Sequence, residues 1–300
     1  MTIQPSSTET RRRAAQLAPH AEQLALLNLH RDRLSPATPR DDWQDDILRK
    51  AQASLREGLF LERERVRIAA RAADAPCDVE GFVAWFEELQ KTGPGQYDPL
   101  FEFLATRASF EQVRWFVQQE VAGEAGFDDL VALTQVRLPD SAKLELARNY
   151  WDEMGRGKAN GMHGPMLGRL GDELGVRASD PSLIVWEALA VGNVLAGLAY
   201  NRRFAWHSLG ALGAVELTAP TRAVRVVEAL ERVGVSGEAL HYFRLHSTID
   251  VTHWNGWRDH ALIPVISEQP ELTVHIAEGA LMRLEAGARS YLRYRREFGI

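Results

Sequence analysis

The stretch His246-Ser247-Thr248-Ile249-Asp250-Val251-Thr252-His253 sets two imidazoles and a carboxylate at i, i+4 and i+7. On a helix of 3.6 residues per turn these positions lie within roughly 60° of one another on one face. A mixed nitrogen and oxygen set of this kind suits iron, manganese or zinc. Histidine and aspartate also stripe solvated helix faces, so the spacing alone leaves both readings open. Glu216 is the sharpest single oddity, the lone acid in Leu209-Gly210-Ala211-Leu212-Gly213-Ala214-Val215-Glu216-Leu217. It is either a ligand or an outward-facing glutamate at a helix end ahead of Pro220. Two further segments put chemistry beside apolar helix faces. Trp115-Phe116-Val117-Gln118-Gln119-Glu120 continues to Glu124, and Trp151-Asp152-Glu153 stands ten residues ahead of His163. Ionised groups inside a helical core cost several kcal/mol each unless paired or metal-bound. The segments are therefore expected to meet.

The elements that must position these groups all read as helices. Apolar residues recur at helical spacing over about 14–34 (Leu17, Leu24, Leu27, Leu29), and Ser35-Pro36-Ala37-Thr38-Pro39 ends that run. A long helix over 41–73 carries alternating charges at Glu62, Arg63, Glu64, Arg65 and Arg67, the mark of a solvated face or of packing on a partner subunit. A short aromatic-rich helix covers 78–91. Ser109 with Gln112 reads as a capping box opening the next helix. Another short helix fits 127–136, and Pro139-Asp140-Ser141 begins one that runs to Glu153. Gly155-Arg156-Gly157 breaks the chain before His163. Residues 182–201 are apolar nearly all round, so they predict a buried central helix. Further helices are expected over 206–218, stopped by Pro220, and over 221–234, 237–256 and 269–297. No hairpin signal, strand pairing or internal repeat is present. The fold class is all-α, a bundle of long helices around one core. Residues 1–75 are expected as a helical arm with a disordered start, and residues 76–300 as the main domain.

Three hundred residues bury a sizeable core. The net charge of −6 supplies no basic footprint, which argues against a nucleic-acid partner. One cysteine, Cys77, excludes a disulfide framework and a cysteine-based metal site. No apolar run approaches the roughly 20 residues of a membrane span, and no apolar stretch of a signal peptide follows Arg11-Arg12-Arg13. A cytoplasmic protein is expected.

The sequence resembles the haem-oxygenase-like diiron oxidases and oxygenases, often called iron-containing redox enzymes. The resemblance spans roughly residues 78–265. It is carried by His246-x3-Asp250-x2-His253, by Asp152-Glu153-Met154-Gly155-Arg156-Gly157 with His163 beyond it, and by Glu216 thirty residues ahead of His246. Nothing is haem-specific. The resemblance implies a haem-oxygenase-like bundle of about seven core helices with an N-terminal helical extension. It implies as metal ligands Glu120, Glu153, His163, Glu216, His246, Asp250 and His253, with Glu120 preferred over Glu124 because it continues the Trp115-Phe116 helix. Four carboxylates and three imidazoles suit two Fe(II) ions, with manganese as runner-up, and argue against a four-ligand structural zinc. O2 is the implied co-substrate. The implied activity is O2-dependent oxidation of a small organic molecule by N-oxygenation, oxidative C–C cleavage or decarboxylation, or desaturation of an amino- or fatty-acid-like compound. An external electron donor and a homodimer fit this reading.

Other residues receive plainer expectations. His241 falls out of phase with the motif, and His260 lies about 10 Å along the axis from His253, where it would line an entrance. His207 is expected as a cap or a hydrogen-bonded core residue. Trp254 and Trp257 are expected to wall the pocket, and the substrate to lie near Trp186, Glu187, Phe204 and Trp254. Two rivals make contrary forecasts. A metal-free enzyme on the same bundle, thiaminase-like or like the quinone-cofactor oxidases, does not need all seven ligand-type positions. A helical interaction protein would leave Glu216 and His253 exposed.

Overall fold

The structure is a computed structural model that describes residues 19–124, 126–176 and 180–300, of which 122–124 are described by their backbone alone. The disordered start expected for the chain lies outside the described residues. Among them every regular element is helical. In chain order the helices are α1 (Pro19–Leu34), α2 (Trp43–Ala72), α3 (Val79–Thr92), α4 (Pro99–Thr106), α5 (Phe110–Glu124), α6 (Phe127–Thr134) and α7 (Asp140–Glu153). They continue as α8 (His163–Glu173), α9 (Trp186–Tyr200), α10 (Ala205–Arg232), α11 (His241–His246), α12 (Ile249–Gly256), α13 (Ile263–Glu268) and α14 (Thr273–Phe298), with a π-helical turn over Trp257–Leu262. No helix among the described residues is long and apolar enough to cross a membrane.

Local chemistry starts these helices as the sequence expects. The Ser109 amide donates to Gln112 Oε1 at 2.9 Å and the Gln112 amide to Ser109 Oγ at 3.3 Å, the reciprocal capping box at the head of α5. Asp78 caps α3 by accepting from the Gly81 amide at 2.7 Å. Helix α9 is the buried central element, with Leu189, Val194 and Leu198 at most 3% exposed.

Two apolar clusters form the interior. One gathers Leu26, Phe60, Leu61, Phe82, Phe86, Leu212, Trp257 and Leu281, so α1 and α2 pack into the same core as α10 and α14. A buried polar network joins them to α9. The Asn193 amide donates to Gln23, His30 bonds Asn193 and Glu57, and Arg33 donates to Glu57. The alternating charges of α2 are spent on neighbouring helices. Arg63 reaches Glu22, Arg65 reaches Glu278, and Glu64 accepts from Arg289. The second cluster gathers Leu100, Phe101, Phe116, Leu170, Val226, Leu230 and Tyr291. Helix α10 serves both, with Leu212 and Leu217 in the first and Val226 and Leu230 in the second.

Two expected helix ends fall elsewhere. Pro220 does not stop the helix that bears Glu216, for α10 runs on to Arg232. Proline lacks an N–H, so the Glu216 carbonyl has no i+4 donor. Packing of both halves of α10 outweighs that loss. The helix expected over 237–256 is instead broken between His246 and Ile249, where Thr248 has φ −129° and ψ −43°. Ser247 Oγ donates to the Arg244 carbonyl at 2.7 Å and Thr248 Oγ1 to the Leu245 carbonyl at 3.1 Å. Hydroxyls that compete for backbone carbonyls in this way favour a helix end.

Candidate metal centre

Helix α7 delivers Glu153 at its C-terminal end. The chain then reverses through Gly155, Arg156 and Gly157, all at positive φ (61°, 52° and 80°). A side chain at Gly155 would run into the backbone of Gly161, so glycine closes this loop where no other residue fits. The reversal starts α8 at His163 and sets its Nδ1 2.7 Å from Glu153 Oε2. His246, the last residue of α11, joins them, its ring centroid 4.7 Å from that of His163. Its Nδ1 lies 2.7 Å from the Tyr242 carbonyl, which can only accept. Nδ1 therefore carries the proton and Nε2 offers a lone pair.

Beyond the break, α12 presents Asp250 and His253 toward Glu216 of α10. His253 Nδ1 lies 3.3 Å from Glu216 Oε2 and 3.8 Å from Asp250 Oδ1. Its Nε2 lies 3.4 Å from Asp152 Oδ2. The Asn149 amide donates to Glu216 Oε1 at 2.7 Å. Exposure is 2% for Glu216, 2% for Asp250 and 5% for His253, against the interaction-protein reading, which needs Glu216 and His253 outside.

The structure thus divides the motif. His246 belongs with Glu153 and His163, while Asp250 and His253 belong with Glu216. In each trio one candidate ligand atom per residue lies within 4.8 Å of the others. Ligand bonds of about 2.1 Å place neighbouring donors roughly 3–3.5 Å apart around one ion, so small side-chain adjustments close each trio. The one-face geometry read from spacing is replaced by two faces of a broken helix.

The trios carry the electrostatics of a cation site. Burial alone disfavours a charged His253, but Glu216 outweighs it, with help from Glu153 and Asp152, and holds the imidazole up at about 9. Burial would also raise Asp152, yet Arg156 and His253 keep its carboxyl below the usual range. His163 Nδ1 is buried with no hydrogen bond, although Glu153 Oε2 is 2.7 Å away, so the contact lacks hydrogen-bond alignment. A nitrogen lone pair and a carboxylate oxygen held side by side in this way suit a shared cation. Hard oxygen with imidazole and no thiolate is a donor set that Fe(II) and manganese accept, as zinc also does. The residues present fit iron.

Glu120 stands apart from both trios. It lies on the wall of the pocket that opens above them, where the Tyr294 hydroxyl donates to its Oε1 at 3.4 Å and Arg222 approaches its Oε2 at 3.9 Å. The side chain of Glu124 lies outside those described. The pocket encloses about 780 Å³ of empty space, its open mouth included. Glu153, His163, Glu216, His246 and Asp250 line one part of it, and Phe101, Phe116, Phe127 and Phe243 supply apolar walls. Among the described residues that line it, Arg222 is the one cationic side chain apart from the imidazoles, and its Nη1 donates to the Tyr291 hydroxyl at 2.7 Å.

The pocket expected near Trp186, Glu187, Phe204 and Trp254 is therefore elsewhere. Trp254 stacks on Phe86, ring centroids 5.2 Å apart, and Phe204 packs on His207. Trp257 is wholly buried against α10 and donates to the Leu209 carbonyl at 3.2 Å. These aromatics fill core where they were expected to wall a cavity. His241 and His260 are exposed, and Cys77 is exposed and free.

Four contributors were missed in the sequence. Asn149 had a signal, since it precedes Glu153 by one helical step of four and so shares its face. Asp152 was in view beside Glu153, but its approach to His253 depends on tertiary packing. Arg222 was hidden behind the helix end assigned to Pro220. The Tyr242 carbonyl is backbone and leaves no sequence trace.

A family model described as iron-containing redox enzyme matches residues 114–288, more than half of the chain. The protein belongs to that family, whose fold is haem-oxygenase-like, and it is accordingly an oxidoreductase of the iron-containing redox class. Among solved structures it is similar to a CADD-like protein of unknown function from Nostoc punctiforme. The 1.35 Å crystal structure of that protein aligns with TM-score 0.57 at 19% identity, covering 73% of this chain and 95% of that one. A 2.00 Å structure of it gives TM-score 0.53 at 19% identity, over 81% and 98%. At this identity the likeness establishes the fold. No curated protein matches the chain.

Proposed function

We propose that the protein is a non-haem diiron oxidase or oxygenase that uses O2 to oxidise a small organic acid. The observation that carries this reading is the pair of carboxylate–imidazole trios at a single pocket, buried except for the half-buried His246. Glu153, His163 and His246 would hold one iron, and Glu216, Asp250 and His253 the other, with Glu120 as an additional carboxylate from the pocket wall. Two such ions, when bound, supply the electrons that reduce O2 next to the substrate.

The chain's own residues do the rest. Tyr242 fixes the His246 tautomer through its carbonyl, and Asp152 accepts from His253 Nε2 so that Nδ1 faces inward. Asn149 fixes the rotation of the Glu216 carboxylate. Hydrogen bonds behind ligands hold them in orientation and commonly matter tenfold or more for metal affinity. The phenylalanine walls exclude water from the reacting face. Arg222 supports an anionic substrate group, since its guanidinium suits bidentate contact with a carboxylate. The acid's apolar portion then lies along Phe101, Phe116 and Phe127, with its oxidised carbon or nitrogen toward the ligands.

Anaerobic Fe(II) titration followed by O2 exposure in stopped flow tests this reading. Two irons per chain and a transient visible band are expected. A folded protein that takes up no iron would instead support the metal-free rival.

A further inference from the structure

Nine residues ahead of Glu216 on α10, about 13 Å along its axis, a second group of ligand-type side chains converges. His207 of α10 is 6% exposed, and its Nε2 lies 2.9 Å from Glu278 Oε2 on α14. His275, one helical turn ahead of Glu278, sets its Nδ1 3.6 Å from the same oxygen. The two rings are 5.2 Å apart and tilted by 34°. The other oxygen, Glu278 Oε1, accepts from Arg65 Nη1 at 2.9 Å. A hydrogen-bonded His207–Glu278 pair accounts for one imidazole. It does not account for a second imidazole aimed at the same oxygen.

The backbones beneath this group are in contact. A side chain at Gly279 would be driven into the His207 carbonyl, and one at Gly210 into the Ile276 carbonyl. His207 and Glu278 thus stand on two rails that cannot slide apart without leaving a gap. Geometry of this stiffness is what a metal site needs. Burial keeps His207 below its ordinary pKa despite Glu278, which favours a neutral imidazole. Burial opposes ionisation of Glu278, but His207 and Arg65 outweigh it and hold the carboxyl low. Arg65 on the outer oxygen is the supporting hydrogen bond that ligating carboxylates commonly have.

We infer that His207, His275 and Glu278 form a separate cation site, of the two-imidazole, one-carboxylate type that binds Zn2+ with solvent as fourth ligand beside the exposed His275. The ion takes the position of the proton between His207 Nε2 and Glu278 Oε2, and the neutral imidazole then carries its single proton on Nδ1, which frees the Nε2 lone pair. Bound there, the ion ties α10, and so Glu216, to α14. The inference stands on these three residues and does not depend on the chemistry of the pocket.

Zinc titration of the full-length protein in competition with a chromophoric chelator counts the equivalents. The wild-type chain is expected to bind one Zn2+ more than His275→Ala, a surface substitution that leaves the helix intact. His260→Ala, which removes an exposed imidazole elsewhere, is expected to match wild type. Zinc-edge anomalous diffraction of zinc-soaked crystals is expected to place a peak between His207, His275 and Glu278. Equal zinc counts for wild type and His275→Ala, equal losses for both variants, or no peak at that position would each overturn the inference. Iron uptake by the trios is measured separately and moves with neither variant.

Discussion

His253 offers the most quantitative handle on the centre. In the metal-free protein its imidazole faces Glu216 and Asp250 on one nitrogen and Asp152 on the other, with Glu153 close enough to add to the field. Burial works against its charge, but the carboxylates prevail and raise it from 6.5 to about 9. A raised folded-state pKa contributes stability that is fully present below 6.5 and is lost as pH rises through 9. A difference of about 2.5 units corresponds to about 3 kcal/mol. Urea unfolding of chelator-treated protein at pH 6 and at pH 9.5 measures it, with His253→Gln as the reference that lacks the proton. Wild type is expected to lose about 3 kcal/mol more than the variant across that interval. Iron reverses the sign, because a cation must displace the proton. Apparent iron affinity is expected to climb about tenfold per pH unit up to 9 from His253 alone. Identical pH dependence in wild type and His253→Gln would refute the idea that the carboxylates hold a proton there.

Three further outcomes follow from the geometry. Glu153→Gln removes one donor from the first trio only, so the count is expected to fall from two irons per chain to one, measured by colorimetric iron assay on folded protein. Pro220→Ala restores an amide that can bond the Glu216 carbonyl; thermal unfolding is expected to show a gain of about 1 kcal/mol, while iron affinity falls as Glu216 turns. Gly279→Ala forces a methyl group into the His207 carbonyl, and denaturant unfolding is expected to show a loss of at least about 2 kcal/mol.

The helical class was legible from local rules, and the six groups that the fold draws together were singled out by residue type, by setting and by the family resemblance. Ser109 and Gln112 announce their capping box, and the apolar setting of Glu216 singles it out, although only the fold decides that it is buried and does not look outward. What the sequence did not carry is decided by competition between local and distant forces. Pro220 is a helix breaker by propensity, yet the packing of Leu212 and Val226 on either side overrides it. The His246–His253 spacing fits one continuous face, yet two hydroxyls end the helix inside it. The pocket was misplaced because aromatic residues look alike whether they line a cavity or fill a core. Trp254 and Phe204 proved to be filling. Arg222 and Glu120 meet across α10 and α5, a contact no linear pattern encodes.

The two-residue connector Ser247–Thr248 has a consequence for how such a centre varies among proteins. The candidate ligands on its two sides ride on separate helices, so in the proposed centre the connector would act as a spacer between the two ions. Lengthening or stiffening it would retune the gap between them while every ligand and every other helix stayed as it is. Reactivity in the proposed centre would then diverge through a short stretch that contributes no donor atom.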